Sequence, residues 1–192
     1  NIAIFRQQPF AANLFASKDH VTRDYDFFTR ATVDSQSYGG RVGYTAGVVP
    51  VSVAVTRLEE QIGGTARPSS LAETTLNFTA SNARHSDRRT DFSYTMNDYT
   101  RTENGLYTQD GVEHFANLFD TETFGRTNWI QLNSSLFYSH LDNTTRPVGH
   151  PPLTTGPVQS FSDNEQLRLK HRERLESDYN YSFNKRDSGP VL

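Results

Sequence analysis

Residues 90–97 read Thr-Asp-Phe-Ser-Tyr-Thr-Met-Asn, a stretch in which large apolar side chains alternate strictly with polar ones. Phe92, Tyr94 and Met96 therefore lie on one side of an extended chain, and the polar residues between them lie on the other. A helix would space its apolar residues three or four positions apart, which this stretch does not do. The segment predicts a half-buried β-strand.

Residues 177–184 read Ser-Asp-Tyr-Asn-Tyr-Ser-Phe-Asn and repeat the first stretch position by position in character. Each copy follows an alternating apolar stretch, starting at Leu76 or at Leu167, and then a basic connector. The connectors contain Arg84, Arg88 and Arg89 in the first copy and Lys170, Arg172 and Arg174 in the second. The same hairpin is thus predicted twice, and residues 164–176 are predicted as strand although they are rich in helix-forming residues.

Alternation with a period of two continues over most of the chain. The apolar positions are Phe27, Ala31, Val33, Val42, Tyr44, Val51, Val53, Val55, Leu76, Phe78, Ala80, Ile130, Leu132, Leu136, Tyr138, Leu167 and Leu169. The pairs Gly39-Gly40 and Gly63-Gly64 stand between such segments and are interpreted as turns. This pattern predicts an all-β, antiparallel fold.

Composition separates the chain from an average soluble domain. Hydrophobic residues make up 34% of its 192 positions, and mean hydropathy is -0.68. An ordinary domain is roughly 45–50% apolar when Gly is counted. Yet 13 Phe, 9 Tyr and 1 Trp are too many aromatic residues for a disordered segment. A transmembrane β-barrel reconciles these facts, because one face of each strand meets lipid while the other lines a polar lumen.

Several function classes are disfavoured. The formal charge of -3 gives no basic field for nucleic acid, and the lack of Cys excludes disulfides, thiol nucleophiles and Cys-type zinc sites. No apolar run reaches the ~18 residues of a transmembrane helix. The six His have no metal-ligand spacing, and no Ser/His/Asp arrangement or nucleotide-binding string is present. We therefore expect no enzyme, no cofactor and no metal site.

The predicted organisation is an irregular segment or loop over residues 1–25, followed by antiparallel barrel strands over residues 26–192. Long polar loops are expected near residues 98–111 and 143–163, because barrels alternate short turns with long loops. The chain ends in Val191-Leu192 instead of an aromatic terminal strand. We therefore expect an incomplete fragment of a larger barrel.

Over residues 74–105 and 129–189 the chain resembles large Gram-negative outer-membrane barrels of the porin type. The strings that carry the resemblance are TTLNFTASN, TDFSYTMNDYTRTENG, NSSLFYSHLDNT and LESDYNYSFNKRDSG. Residues 92–102 (FSYTMNDYTRT) are also similar to barrels that sheathe multihaem cytochromes, although a chain without Cys has no haem-attachment motif of its own. The resemblance implies an outer-membrane location, contact with lipid, and passive passage of polar solutes.

Five charged residues are predicted to lie on the face turned away from lipid, where they would set selectivity: Arg30, Asp34, Asp91, Arg168 and Lys170. Rows of Arg and Lys on that face would favour anions, whereas the same residues at turns would simply be solvated or contact lipid phosphate.

Two other classes of protein remain open at this point. A secreted β-sandwich or solenoid that binds carbohydrate would use exposed aromatic side chains as stacking platforms. A structural barrel around an electron-transfer partner would have the same strands and a wider lumen. The sequence is silent on the solute, the strand total and the oligomeric state.

Overall fold

The structure is a computed structural model that describes residues 2–4, 9–26, 29–46, 49–64, 68–85, 87–124, 129–172 and 175–189. These residues form ten strands. They are β1 (Ile2–Ile4), β2 (Phe10–Asp26), β3 (Thr29–Tyr44), β4 (Val51–Gly63), β5 (Ser69–His85), β6 (Arg88–Glu103), β7 (Tyr107–Phe124), β8 (Ile130–Pro147), β9 (Leu153–Arg172) and β10 (Leu175–Ser188).

All ten strands belong to one antiparallel sheet, and their order in the sheet is their order in the chain. The all-β, antiparallel, up-and-down prediction is therefore confirmed. Among the described residues, β1 and β10 each pair on one side only, so the sheet is open in this structure. The described part of the chain has no helix long and apolar enough to cross a membrane, a statement about helices alone. A sandwich needs two stacked sheets, and these residues supply one.

The register divides the side chains into two faces, because directly paired residues of antiparallel strands project to the same side. Val53 pairs with Val42 on one neighbour and with Phe78 on the other, and Phe78 pairs with Tyr94. We call this side the apolar face. It also carries Phe10, Leu14, Tyr44, Val51, Val55, Leu76, Ala80, Phe92, Met96, Leu118, Ile130, Leu132, Leu136, Tyr138, Phe161, Leu167, Leu169, Tyr179, Tyr181 and Phe183. The apolar positions predicted from alternation therefore converge on one side from Val42 onward. The prediction is wrong for Ala31 and Val33, which lie on the opposite side of β3 from Val42. Phe27 lies outside the described residues.

The opposite side, the polar face, carries mainly hydroxyl, amide and charged side chains. Along β4, Ser52, Ala54 and Thr56 of this face are half-buried, whereas Val53 and Val55 of the apolar face are exposed. Side chains crowd one another on the inside of a curved sheet. The sheet therefore curves around its polar face in this region.

Within the described part of the chain, no second layer covers either face of the sheet. Of the described residues, Ala31 is the one buried hydrophobic side chain, and no polar side chain is buried. The accessible surface is 13627 Å². A compact monomer of this mass would expose about 9,200 Å². The excess shows a single extended layer, whose apolar side chains contact their cross-strand neighbours but no second layer of the described chain.

Two close approaches involve glycines of the polar face. Gly39 lies opposite Phe15, and a Cβ atom at Gly39 would collide with the Val55 carbonyl oxygen and lie 2.8 Å from the Phe15 ring. Gly111 lies opposite Tyr99, and a Cβ atom there would collide with the Tyr99 ring. In both pairs an aromatic ring covers a glycine, an arrangement that fixes register and curvature in sheets.

The predicted turn at Gly39-Gly40 is wrong, because β3 continues through it with unbroken pairing to β2 and β4. The glycines make room for Phe15 and the next strand instead of reversing the chain. The prediction of an irregular segment over residues 1–25 also fails, since β2 begins at Phe10. Its alternation is masked by alanines on both sides and by Phe15 opposite the apolar positions. By contrast, β4 does end at Gly63, with Gly64 at a φ of 74°.

The predicted long loops near residues 98–111 and 143–163 are also wrong. They are mostly polar strand, connected by residues 104–106 and 148–152. At the first connection Asn104 and Gly105 have φ values of 57° and 61°, and the Leu106 amide donates to the Glu103 carbonyl at 3.0 Å. Two positive φ values in succession are those of a type I′ hairpin turn, which favours Asn-Gly. The Tyr107 hydroxyl donates to Glu103 beside this turn, and that bond raises the pKa of Tyr107.

The repeated hairpin is confirmed. β5 and β6 pair around residues 86–87, and β9 and β10 pair around residues 173–174. Residues 164–172 and 175–176 are strand, as predicted.

Candidate functional site: the polar face of the sheet

The five predicted site residues do not share one face. Asp91, Arg168 and Lys170 lie on the polar face, as their pairings with Ser81, Gln131 and Glu176 show. Positions 30 and 34 of β3 are in register with Val42 and so belong to the apolar face. The cause is the continuous β3 strand. Because the chain does not turn at Gly39-Gly40, all even-numbered residues from 30 to 44 project to the same side of the sheet.

Asp34 lies beyond the apolar residues, toward the end of the sheet where β3 begins and β4 ends. Its carboxylate contacts Nδ1 of His20 at 2.5 Å, and both side chains are more than half exposed. The side chain of Arg30 is outside the described residues. Neither residue belongs to the surface formed by the other three.

Six of the charged residues of the polar face form three ion pairs. Nε of Arg168 contacts Asp178 at 2.9 Å, and Nε of Arg89 contacts Asp91 at 2.6 Å. A third pair joins Arg101 and Glu103. The basic connectors noted in the sequence therefore supply internal partners for carboxylates as well as free positive charge.

The charge of the polar face is slightly acidic. The register places six described basic side chains on it: Arg41, Arg89, Arg101, Arg168, Lys170 and Arg186. It places eight described acidic ones on it: Asp19, Glu60, Glu73, Asp91, Glu103, Glu113, Glu176 and Asp178. Six positive and eight negative charges leave a net of -2. The surface does not have the net positive charge that anion preference requires.

Hydroxyl and amide groups form cross-strand ladders over the same face. Arg41 donates to the Ser52 hydroxyl at 3.2 Å, and that hydroxyl lies 2.8 Å from the hydroxyl of Thr79. Thr95 donates to Asn77 at 2.8 Å. These hydrogen bonds between neighbouring strands give the polar side chains partners within the sheet. The face can therefore be in contact with water without a second protein layer. A cleft of about 450 Å³ opens beside Arg41 and Ser52.

Three phenylalanines interrupt this polar surface in β7 and β8. Phe115 and Phe137 stack with ring centroids 6.5 Å apart, and Phe119 is 40% exposed. Sequence reasoning did not single them out. The adjacent aromatic pair Phe137-Tyr138 was the available signal, because consecutive residues of a strand point to opposite faces.

A histidine pair lies on the other side of the sheet. The Tyr94 hydroxyl is 2.8 Å from Nδ1 of His114, and the rings of His114 and His140 are 5.8 Å apart. The described residues contain no group of three or more His, Cys, Asp or Glu side chains placed to hold a metal ion.

No family model, curated protein or solved structure matches this chain. The resemblance to porin-type barrels therefore stays a prediction, and the fold itself carries the functional argument.

Proposed function

We propose that this chain forms ten strands of a β-barrel in the outer membrane of a Gram-negative bacterium, with its apolar face against lipid and its polar face lining a lumen. One observation carries the proposal. The register brings the apolar positions of consecutive strands onto one face, and no layer of the described residues covers that face.

Exposure on the apolar face supports lipid as the covering medium. Leu14, Val42 and Val55 are 52%, 56% and 44% exposed, and the aromatic residues of β10 are similarly open. Soluble monomers rarely expose contiguous apolar patches larger than a few hundred Å². Acyl chains would cover this surface without a second protein layer.

Strand geometry also suits a membrane crossing. From β2 onward the strands are 13–20 residues long. A transmembrane strand needs about 9–11 residues. The remaining length forms the polar strand ends near residues 98–103 and 143–147, which would stand in water beyond the bilayer.

A polar gap crosses the apolar face in β6–β9. Ser134 donates to Glu165 at 2.6 Å, and Thr90 donates to Asp120, which also contacts Arg88 at 3.4 Å. Because these groups bond one another, their transfer toward lipid costs less than that of isolated charges. The apolar residues continue diagonally past the gap to Leu167 and Tyr179, as strand tilt in a barrel would require.

The proposed mechanism is passive. Polar solutes would pass along or reside in the lumen, with selectivity set by its width and by the charges of the polar face. No covalent step is assigned to any residue. A sheath around an electron-transfer partner is the alternative, and haem that copurifies with the protein would indicate it.

Fractionation is the first test. We expect the protein in the outer-membrane fraction, with a mobility on a detergent gel that shifts when the sample is heated, because a closed barrel resists detergent until it unfolds. A soluble fraction without a heat-dependent shift would reject the proposal.

Ion selectivity tests the lining. The reversal potential is measured in a planar bilayer with a KCl gradient. We expect its sign to show a weak preference for cations over anions, since acidic residues outnumber basic ones on the polar face. Asp178→Asn should shift the potential toward anions, because it frees the positive charge of Arg168. Asp187→Asn is the matched control on the same strand, as Asp187 lies on the apolar face. Equal shifts for the two variants would contradict the assignment of faces.

A further inference from the structure

The polar face has an uncharged region that the passive-pore proposal does not explain. In β7–β10, Phe119, Asn133, Asn164, Gln166 and Asn180 line a cleft of about 380 Å³ together with three serine residues, Glu165 and Tyr181. The register places the first five side chains on the polar face. We call them the amide cleft. Glu165 and Tyr181 pair with each other and belong to the apolar face, so the charge of Glu165 lies on the other side of the sheet.

Hydrogen-bonding capacity in the amide cleft is only partly used. Asn133 donates to Gln166 at 3.2 Å and accepts from Gln131 at 3.3 Å. Within the described part of the chain, the exposed side chains of Asn164 and Asn180 make no hydrogen bond. Each free amide offers both donors and an acceptor. The cleft can therefore bind a ligand that both donates and accepts along its length.

The aromatic side chains give the cleft a second property. Phe119 is 40% exposed at its edge, and Phe137 is 37% exposed in the next strand, diagonal to it. Exposed rings on a face of amides and hydroxyls have no lipid to contact in the proposed orientation. The two rings are diagonal neighbours on adjacent strands, so a single bound molecule could contact the flat apolar surface of both.

The charges near the amide cleft favour an uncharged ligand. The nearest charges on this face, Arg168 with Asp178 and Arg89 with Asp91, are paired with each other. Strands lie about 4.8 Å apart, so the four strands β7–β10 span about 14 Å. An extended, uncharged molecule with many hydroxyl groups and a flat apolar side fits these features.

We propose that the amide cleft binds a neutral oligosaccharide, with Phe119 stacking on a sugar ring and Asn164, Gln166 and Asn180 bonding its hydroxyl groups. This inference rests on the proposed function, because it takes the polar face to be the wall of a lumen that solutes reach.

The test uses the full chain reconstituted in lipid vesicles and in detergent, with maltohexaose as the probe. Insertion is measured by the heat-dependent gel shift, and binding by saturation-transfer NMR. We expect Phe119→Ala to weaken binding about tenfold or more, since stacking buries apolar ring surface. Asn164→Ala should weaken it about 2–10-fold. Phe124→Ala is the control, an exposed ring of the same strand on the apolar face.

The outcomes separate the two proposals. Insertion with maltohexaose binding that depends on Phe119 supports both. Insertion without binding, or with binding that Phe119→Ala leaves unchanged, overturns the oligosaccharide site and leaves the barrel standing. Failure to insert overturns the proposed function, and the lumen site falls with it.

Discussion

Val53→Arg is expected to destabilise the protein in a lipid bilayer by about 2–4 kcal/mol, the cost of an arginine near the middle of a barrel's lipid face. Val53 lies on the apolar face between Val42 and Phe78 and is 38% exposed. No neighbouring side chain in those two pairs offers a negative charge. Urea unfolding of the vesicle-reconstituted protein measures the loss, and Val42→Arg should behave in the same way.

Thr79→Arg is the matched control. Thr79 lies one residue from Phe78 in β5, is exposed, and projects to the polar face opposite Ser52. An arginine there would stand in the proposed lumen and should change stability by no more than about 0.5 kcal/mol. If Val53→Arg folds as well as Thr79→Arg, the apolar face does not contact lipid. Greater solubility of Val53→Arg in buffer would lead to the same conclusion.

Substitution of the glycines that lie under aromatic rings is expected to lower the stability of the protein. Gly39→Ala should destabilise the protein by about 3 kcal/mol, the upper end of typical overpacking costs. Its Cβ would meet the backbone oxygen of Val55, which cannot rotate away. Gly111→Ala should cost about 1–2 kcal/mol, because its nearest obstacle is the Tyr99 side chain, which can move. Unfolding can be followed by the fluorescence of Trp129, the single Trp of the chain.

Double variants separate the two causes. Tyr99→Ala should suppress the cost of Gly111→Ala, since it removes the atoms that the new methyl group meets. Phe15→Ala should leave most of the cost of Gly39→Ala in place, because the Val55 carbonyl remains. Gly43→Ala is the control in the same strand, where the new Cβ would have ordinary contacts of 3.8 Å. Full rescue of Gly39→Ala by Phe15→Ala would show that the ring, and not the backbone, limits the space.

Where the two sides of a strand differ sharply in polarity, alternation was sufficient to predict the strand. It also predicted that the apolar side chains of these strands lie on the same face of the sheet. The segments around Val53, Phe78, Tyr94 and Tyr181 all have this contrast, and all lie on one face. It failed for β2, where alanine occurs on both sides. It also failed for residues 98–103 and 143–147, whose pairing relies on contacts such as Thr100 with Asp110 and Arg146 with Asp110. Polar strands of this kind have no periodic hydrophobic signal.

Asp91, Arg168 and Lys170 lie opposite the apolar face, because each is within one regular stretch whose sides can be read locally. Their role in selectivity stays a prediction. The predicted face was wrong for position 34, because its side depends on whether residues 39–40 reverse the chain. That question is decided by the Phe15 ring and the Val55 carbonyl, which are distant in sequence. The Asn-Gly pair at 104–105 was a readable hairpin signal that a polar-loop interpretation overlooked.

The order of strands has a consequence for how the sheet is built. Each ladder joins consecutive strands, and the connections between them are two to six residues long. Each described strand therefore pairs with the strands next to it in the chain, and the entropy cost of closing each short connection is small. The sheet can grow by one hairpin at a time from an existing edge, without waiting for distant parts of the chain. If assembly stopped before all strands had paired, the product would be a narrower sheet with the native register. The edge strand of that sheet could still pair with the next strand of the chain.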